Sequence, residues 1–201
     1  IICVEAPTGT GKTLSYGIAA HYARKPKQTI VISTATIALQ EQLYNKDLPL
    51  LNKILGKDFK YALAKGRRRY VCHQRLFQES ALGDFFQANE HIEKLKKLFD
   101  RKKWFGDRDQ LSSTIPDSEW NKVSTDSSGC SGKLCEYYEE CVFYKARKKM
   151  HASDVIVANH SLLLSDVELG GGTVLPEPEN SIYIIDECHH LPEKALSHFA
   201  K

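Results

Sequence analysis

Ile1-Ile2-Cys3-Val4-Glu5-Ala6-Pro7-Thr8-Gly9-Thr10-Gly11-Lys12-Thr13 is the stretch whose reading decides the fold. An apolar run, a glycine-rich turn and a helix-like stretch from Leu14 to Tyr22 follow in the order strand, loop, helix. That order gives a phosphate-binding-loop match physical content. Successive N–H groups of such a loop point inward, and the helix N-terminus adds partial positive charge, so the loop cradles phosphate. Gly9 and Gly11 supply the backbone angles this requires. The strict pattern begins with glycine, where this chain has Ala6. Ala6, Pro7, Thr8, Gly9, Thr10, Gly11, Lys12 and Thr13 are expected to bind ATP. Lys12 should reach the β- and γ-phosphates, and the Thr13 hydroxyl should ligand Mg²⁺.

The second nucleotide signal is Ser181-Ile182-Tyr183-Ile184-Ile185-Asp186-Glu187-Cys188-His189. A parallel strand buried on both faces reads as continuous apolar residues, and its carboxyl end delivers side chains to a ligand crevice. Asp186 is expected to hold Mg²⁺ through water. Glu187 is expected to orient and deprotonate the attacking water. Without the upstream loop, the same residues would read as a core strand ending in two solvated acids.

The 201 residues suffice for one core plus an insertion, and a formal charge of +3 is too mild to argue for nucleic acid by itself. No apolar run approaches a membrane span and no secretory signal heads the chain. The first residue already lies in the loop's strand and no initiator Met is present, so a fragment of a longer protein is expected. Six cysteines in an ATP-binding chain without a signal peptide point to metal ligands rather than disulfides.

Thr29-Ile30-Val31-Ile32-Ser33 and Asp154-Val155-Ile156-Val157-Ala158 read as buried strands, and Thr36 to Leu43 as a helix with Ile37, Ala38, Leu39 and Leu43 as its apolar stripe. Strands separated by helices imply an α/β domain with a parallel sheet covered on both faces. From Lys65-Gly66-Arg67-Arg68-Arg69 to about residue 150 the chain turns polar, basic and mostly helical, with Leu95, Leu98 and Phe99 on one face. Leu111 to Gly129, rich in Ser, Thr and Asp, reads as a loop, and Gly170-Gly171-Gly172 as another. The expected division is 1–65 with 151–201, and an insert over 66–150.

Cys72, Cys130, Cys135 and Cys141 all lie in that insert, the last three spaced C-x4-C-x5-C. Four thiolates from one near and one distant segment suit a cubane iron–sulfur cluster or an all-cysteine zinc site. Zinc ribbons more often pair C-x2-C twice, so the uneven spacing leans towards iron–sulfur without deciding it. Cys3 and Cys188, beside core strands, read as small buried hydrophobes.

Asp186-Glu187-Cys188-His189 resembles the DExH box of superfamily 2 helicases. With a four-cysteine insert between loop and box, the chain resembles the XPD/DinG group of iron–sulfur DNA helicases, and its bacterial DinG branch most. The resemblance is carried by Glu5 to Thr13, Ser33-Thr34-Ala35-Thr36 through Leu43, and Cys130 to Cys141. Val157-Ala158-Asn159-His160-Ser161-Leu162-Leu163 and Val174 to Pro178, running into Ile185 to Pro192, complete it. Cys188 departs from the small residue usual there.

The resemblance implies a RecA-like P-loop NTPase domain carrying a mostly helical iron–sulfur insert. It implies a monomeric, ATP- and Mg²⁺-dependent motor moving 5′ to 3′ on single-stranded DNA, acting on forked or structured DNA in bacterial cytoplasm at the nucleoid, in repair or replication. It implies a 4Fe-4S cluster on Cys72, Cys130, Cys135 and Cys141. Lys12, Asp186, Glu187 and His189 become the catalytic set. Ser33, Thr34 and Ala35 would hold the DNA backbone, though Ser33 or Thr34 could equally serve as a helix N-cap. Arg67, Arg68 and Arg69, with aromatics interleaved nearby, suit a single-strand path. The competing readings are a nucleotide-switched DNA-binding module without unwinding, a zinc-stapled member of the same fold, and action on RNA or RNA–DNA hybrids.

Overall fold

The computed structural model describes residues 1–7, 9–83 and 89–200. Among the described residues four strands form one parallel sheet: β1 Thr29–Thr34, β2 Tyr61–Leu63, β3 Val155–Asn159 and β4 Ser181–Ile185, in the order β2-β3-β1-β4. Ile30 faces Val155 on one side and Ile182 on the other, which fixes the register. Side chains alternate across a strand, so a strand covered on both faces must be apolar at every position. Ile30, Ile32, Val155 and Val157 therefore pack one face with Leu48 and Leu51, while Val31, Ile156 and Ala158 pack the other with Leu163 and Leu175. Each such burial contributes roughly 1.5–3 kcal/mol before entropy is counted.

The chain divides into two compact units, Ile1–Ala64 with Lys149–Lys201, and Lys65–Lys148. In the sheet unit, α1 Lys12–Ala23, α2 Ile37–Gln42 and α3 Leu48–Leu55 precede β2, and α8 His160–Glu168 and α9 Leu191–Phe199 follow β3 and β4. The second unit is built from α4 His73–Gly83, α5 Glu90–Asp100, α6 Asp117–Val123 and most of α7 Val142–His151. Its core is Val71, Leu76, Ile92, Leu95, Trp104, Ile115, Trp120 and Val123. Both indole N–H groups find carbonyls, Trp104 on Asp107 at 2.6 Å and Trp120 on Arg68 at 2.7 Å. Among the described residues no helix is long and apolar enough to cross a membrane.

Four expectations need correction. Ile1–Val4 joins no strand ladder, and Ile1, Ile2 and Val4 are exposed. Four residues with one possible sheet neighbour gain few hydrogen bonds against ~1–2 kcal/mol of backbone entropy each. Cys3 and Cys188 are exposed, not buried. Leu111–Gly129 is not all loop: α6 starts after Pro116, carries Asp117 and Glu119 in its first turn and buries Trp120 and Val123. In α2 the inward side chain is Gln40 rather than Ile37 or Ala38, because its amide donates to the carbonyls of Ala64 (3.0 Å) and Val157 (3.1 Å).

Candidate functional site

Gly9 (φ 83°) and Gly11 (φ 77°) both adopt left-handed backbone, so the loop turns where only glycine does so without strain. The Thr10 hydroxyl donates to the Pro7 carbonyl at 2.8 Å, folding the loop on itself. Gly11 caps α1, which sets Lys12 and Thr13 in the first helical turn. Ala6, Pro7, Gly9, Thr10, Gly11, Lys12 and Thr13 thus stand together at a helix N-terminus; Thr8 lies outside the described residues.

The sheet brings the other half. At the end of β4 the Asp186 N–H donates to the Ser33 carbonyl at 2.8 Å, continuing the ladder with β1. Glu187 then takes φ 52°, ψ 44°. That conformation costs a non-glycine residue ~1–3 kcal/mol and persists only where the surroundings over-determine it. It aims the carboxylate at the loop: Lys12 Nζ lies 2.9 Å from Glu187 Oε1, across 175 residues of sequence. His189 Nδ1 lies 3.5 Å from the other carboxylate oxygen. Hydrogen bonding to Glu187 holds the Lys12 ammonium above its ordinary pKa, and the same bond holds the Glu187 carboxyl below its own. Burial, then the neighbouring Glu187 charge, pushes Asp186 the other way. A carboxylate raised by burial is one that a cation would bring back to its charged form.

Two side chains here are given no role by the sequence. The Tyr16 hydroxyl, one turn after Lys12, is buried in the electrostatic reach of Asp186 and Thr13, and burial raises its pKa. His160 is fully buried with Nδ1 2.8 Å from Ser33 Oγ, and burial lowers its pKa.

Ser33, Thr34 and Ala35 are all buried. Ser33 spends its hydroxyl on His160 and Thr34 donates to the Thr36 carbonyl at 3.1 Å, so these side chains do not present themselves to a DNA backbone. The N-cap of α2 is Thr36, which accepts from the Leu39 N–H.

In the second unit, Cys72, Cys130, Cys135 and Cys141 line one cavity, walled by Tyr137 and Phe143 among others. Arg67 donates to Cys130 Sγ at 3.0 Å and lies over the Phe143 ring, 4.0 Å from its centroid. The Gly132 N–H donates to the same sulfur at 3.4 Å. Burial raises the Cys72 thiol. Among the described residues no three His, Cys, Asp or Glu side chains are grouped closely enough to hold a single metal ion. The arginines expected on DNA are largely spent inside this unit. Arg67 is on the thiol and Arg69 pairs with Asp109, while Arg68, bonded to Asp126 at 2.7 Å, keeps 70% of its side chain exposed. Tyr137 stacks on Phe77 and His73, and Arg75 donates to the Ser124 carbonyl.

The profile of the DEAD/DEAH box helicase family matches residues 1–86, and that of the DEAD_2 family matches residues 57–200. The ATP-dependent DNA helicase DinG of Photobacterium profundum is 47% identical over 203 residues, covering 95% of this chain and 29% of that protein. DinG of Escherichia coli (strain K12) is 43% identical over 213 residues, covering 96% of this chain and 29% of its own. The chain thus spans under a third of the length of these relatives. Among solved structures a truncated XPD shares the fold, with a TM-score of 0.51 at 15% identity, over 94% of this chain and 48% of that one.

Proposed function

We propose that this chain, which belongs to the DEAD_2 family, is the first motor domain and cluster-bearing insert of a DinG-type ATP-dependent DNA helicase. The observation that carries the reading is the 2.9 Å contact between Lys12 and Glu187, which unites the phosphate-binding loop with the carboxyl end of the sheet. Phosphoryl transfer to water needs a cation on the phosphates and a base on the water, and here the two already face each other.

In hydrolysis Lys12 exchanges the Glu187 carboxylate for the β- and γ-phosphates. Glu187, released, accepts a proton from the water whose oxygen attacks the γ-phosphorus. The bond to the bridging oxygen breaks and ADP departs. Thr13 and Asp186 are the residues that would hold Mg²⁺, which neutralises charge on the phosphates. His189 steadies the far oxygen of Glu187.

The four cysteines fit a 4Fe-4S cluster: they share one cavity, with Arg67 and Gly132 already donating to sulfur. Bound there, a cluster would cross-link the loop around Cys130–Cys141 to the start of α4. The unit division at Lys65 and Lys148 supports treating residues 66–150 as a separate insert. The partner is single-stranded DNA, at forks or other structured sites, travelled 5′ to 3′ by a monomer in bacterial cytoplasm at the nucleoid, in repair or replication. Of the three arginines, Arg68 is the one that retains an exposed guanidinium for phosphate.

Glu187→Gln in the complete protein should still bind nucleotide and lose ~10²–10⁴-fold in DNA-stimulated ATP turnover. Wild type should displace a strand from a duplex with a 5′ single-stranded tail and not from one with a 3′ tail. Unimpaired turnover in the variant would remove Glu187 from the mechanism, and preference for the 3′ tail would reverse the polarity.

A further inference from the structure

One buried titratable side chain has no part in the hydrolysis scheme. His160 opens α8, immediately after β3 ends at Asn159, and none of its surface reaches solvent. Nδ1 meets the buried Ser33 hydroxyl of β1 at 2.8 Å. Nε2 is buried with no hydrogen-bond partner among the described residues, and the backbone of Glu187 and Asp186 acts on the ring electrostatically. The Ser33 carbonyl in turn accepts from the Asp186 N–H at 2.8 Å. Three adjacent strands therefore end in one buried polar cluster. β3 leads into the ring, β1 supplies a hydroxyl and a carbonyl, and β4 supplies the turn that carries the two acids.

A neutral imidazole has one donor nitrogen and one acceptor nitrogen. The tautomer in which Nδ1 accepts from the Ser33 hydroxyl leaves the proton on Nε2. The turn in question is strained, with Glu187 at φ 52°, and something must hold it. His160 is tied to that turn through Ser33, whose hydroxyl meets Nδ1 and whose carbonyl accepts from the Asp186 N–H.

We propose that His160 is a positioning residue for Glu187. Anchored by Ser33, it fixes the backbone turn after β4 and so aims the Glu187 carboxylate. This rests on Glu187 being the base, and the two ideas fail differently.

The test uses the complete protein with His160→Phe, His160→Gln and Glu187→Gln. It measures DNA-stimulated ATP turnover and the affinity for a fluorescent ATP analogue. Loss of the nitrogens in His160→Phe should lower kcat about a hundredfold, the cost of misplacing a reacting group by an ångström, with KM and analogue affinity unchanged. His160→Gln, whose amide nitrogen reaches about as far as Nε2, should recover most of that loss. Adding His160→Phe to Glu187→Gln should lower the residual rate no further, because the ring acts only through the carboxylate. Should His160→Phe fail to fold, His160→Asn, which lacks the reach of Nε2, carries the same expectations. Full kcat in the Phe variant, equal losses of kcat and analogue affinity, or a further fall on the Glu187→Gln background would each overturn the positioning role. A fully active Glu187→Gln enzyme would overturn the base assignment and this proposal with it.

Discussion

Lys12 and Glu187 satisfy each other at 2.9 Å, and a residue's duty in such a site depends on what it is paired with as much as on its type. Lys12 and Glu187 can be singled out from motif alone, and the fold brings the two motifs together. Arg67, Arg68 and Arg69 cannot be, since three consecutive arginines carry no record of their partners: a thiol, an Asp126 turn and Asp109. Asp126 shows how strongly a partner acts at this scale. It accepts from Arg68, the Ser128 hydroxyl and the Gly129 N–H, and these bonds hold its carboxyl far below the usual range. A depressed folded pKa contributes stability above the ordinary value of 3.8 that is lost as pH falls through the folded value. Arg68→Gln should therefore move the Asp126 titration upward by NMR, and the turn before Cys130 should loosen at a higher pH than in wild type. An unshifted titration would mean the Arg68 bond is not held in solution.

At the scale of elements, strands β1, β3 and β4 are legible because doubly covered strands must be apolar throughout. Helix α6 is not, since Ser, Thr and Asp dominate its surroundings and its two buried residues, Trp120 and Val123, are too few to show a period. The inward Gln40 is hidden for a similar reason, because apolarity patterns cannot reveal an amide that bonds two carbonyls. Gly17 tests the packing of α1 on α3. A Cβ built there would lie 2.8 Å from Leu51 Cδ2, so the helix approaches through the space a side chain would occupy. Gly17→Val should cost about 1–3 kcal/mol by overpacking, read from the urea midpoint. Gly17→Ala should cost less, because the end of Leu51 can rotate aside and alanine favours helix. Equal stability for the Val variant would show that the contact is loose.

For the whole molecule, the insert has a core of its own around Leu76, Leu95 and Trp120, so it is less dependent on a metal staple than its cysteine count implies. The cluster would instead order the Cys130–Cys141 segment, which has only one short helical turn, Gly132–Leu134, and further turns. Cys135→Ser in the complete protein, purified anaerobically, should lose bound iron and broad visible absorbance while keeping nucleotide affinity, because the cysteines and the phosphate loop belong to different units. Zinc in the wild-type protein would overturn the iron–sulfur assignment.

Strand β4, which ends in the two acids, pairs on only one side among the described residues. Its other edge meets no described strand and lies in the same unit as the exposed Ile1, Ile2 and Val4. Such an edge is a template for further backbone pairing, so the strand that leads into Asp186 and Glu187 is also where the sheet would accept another strand.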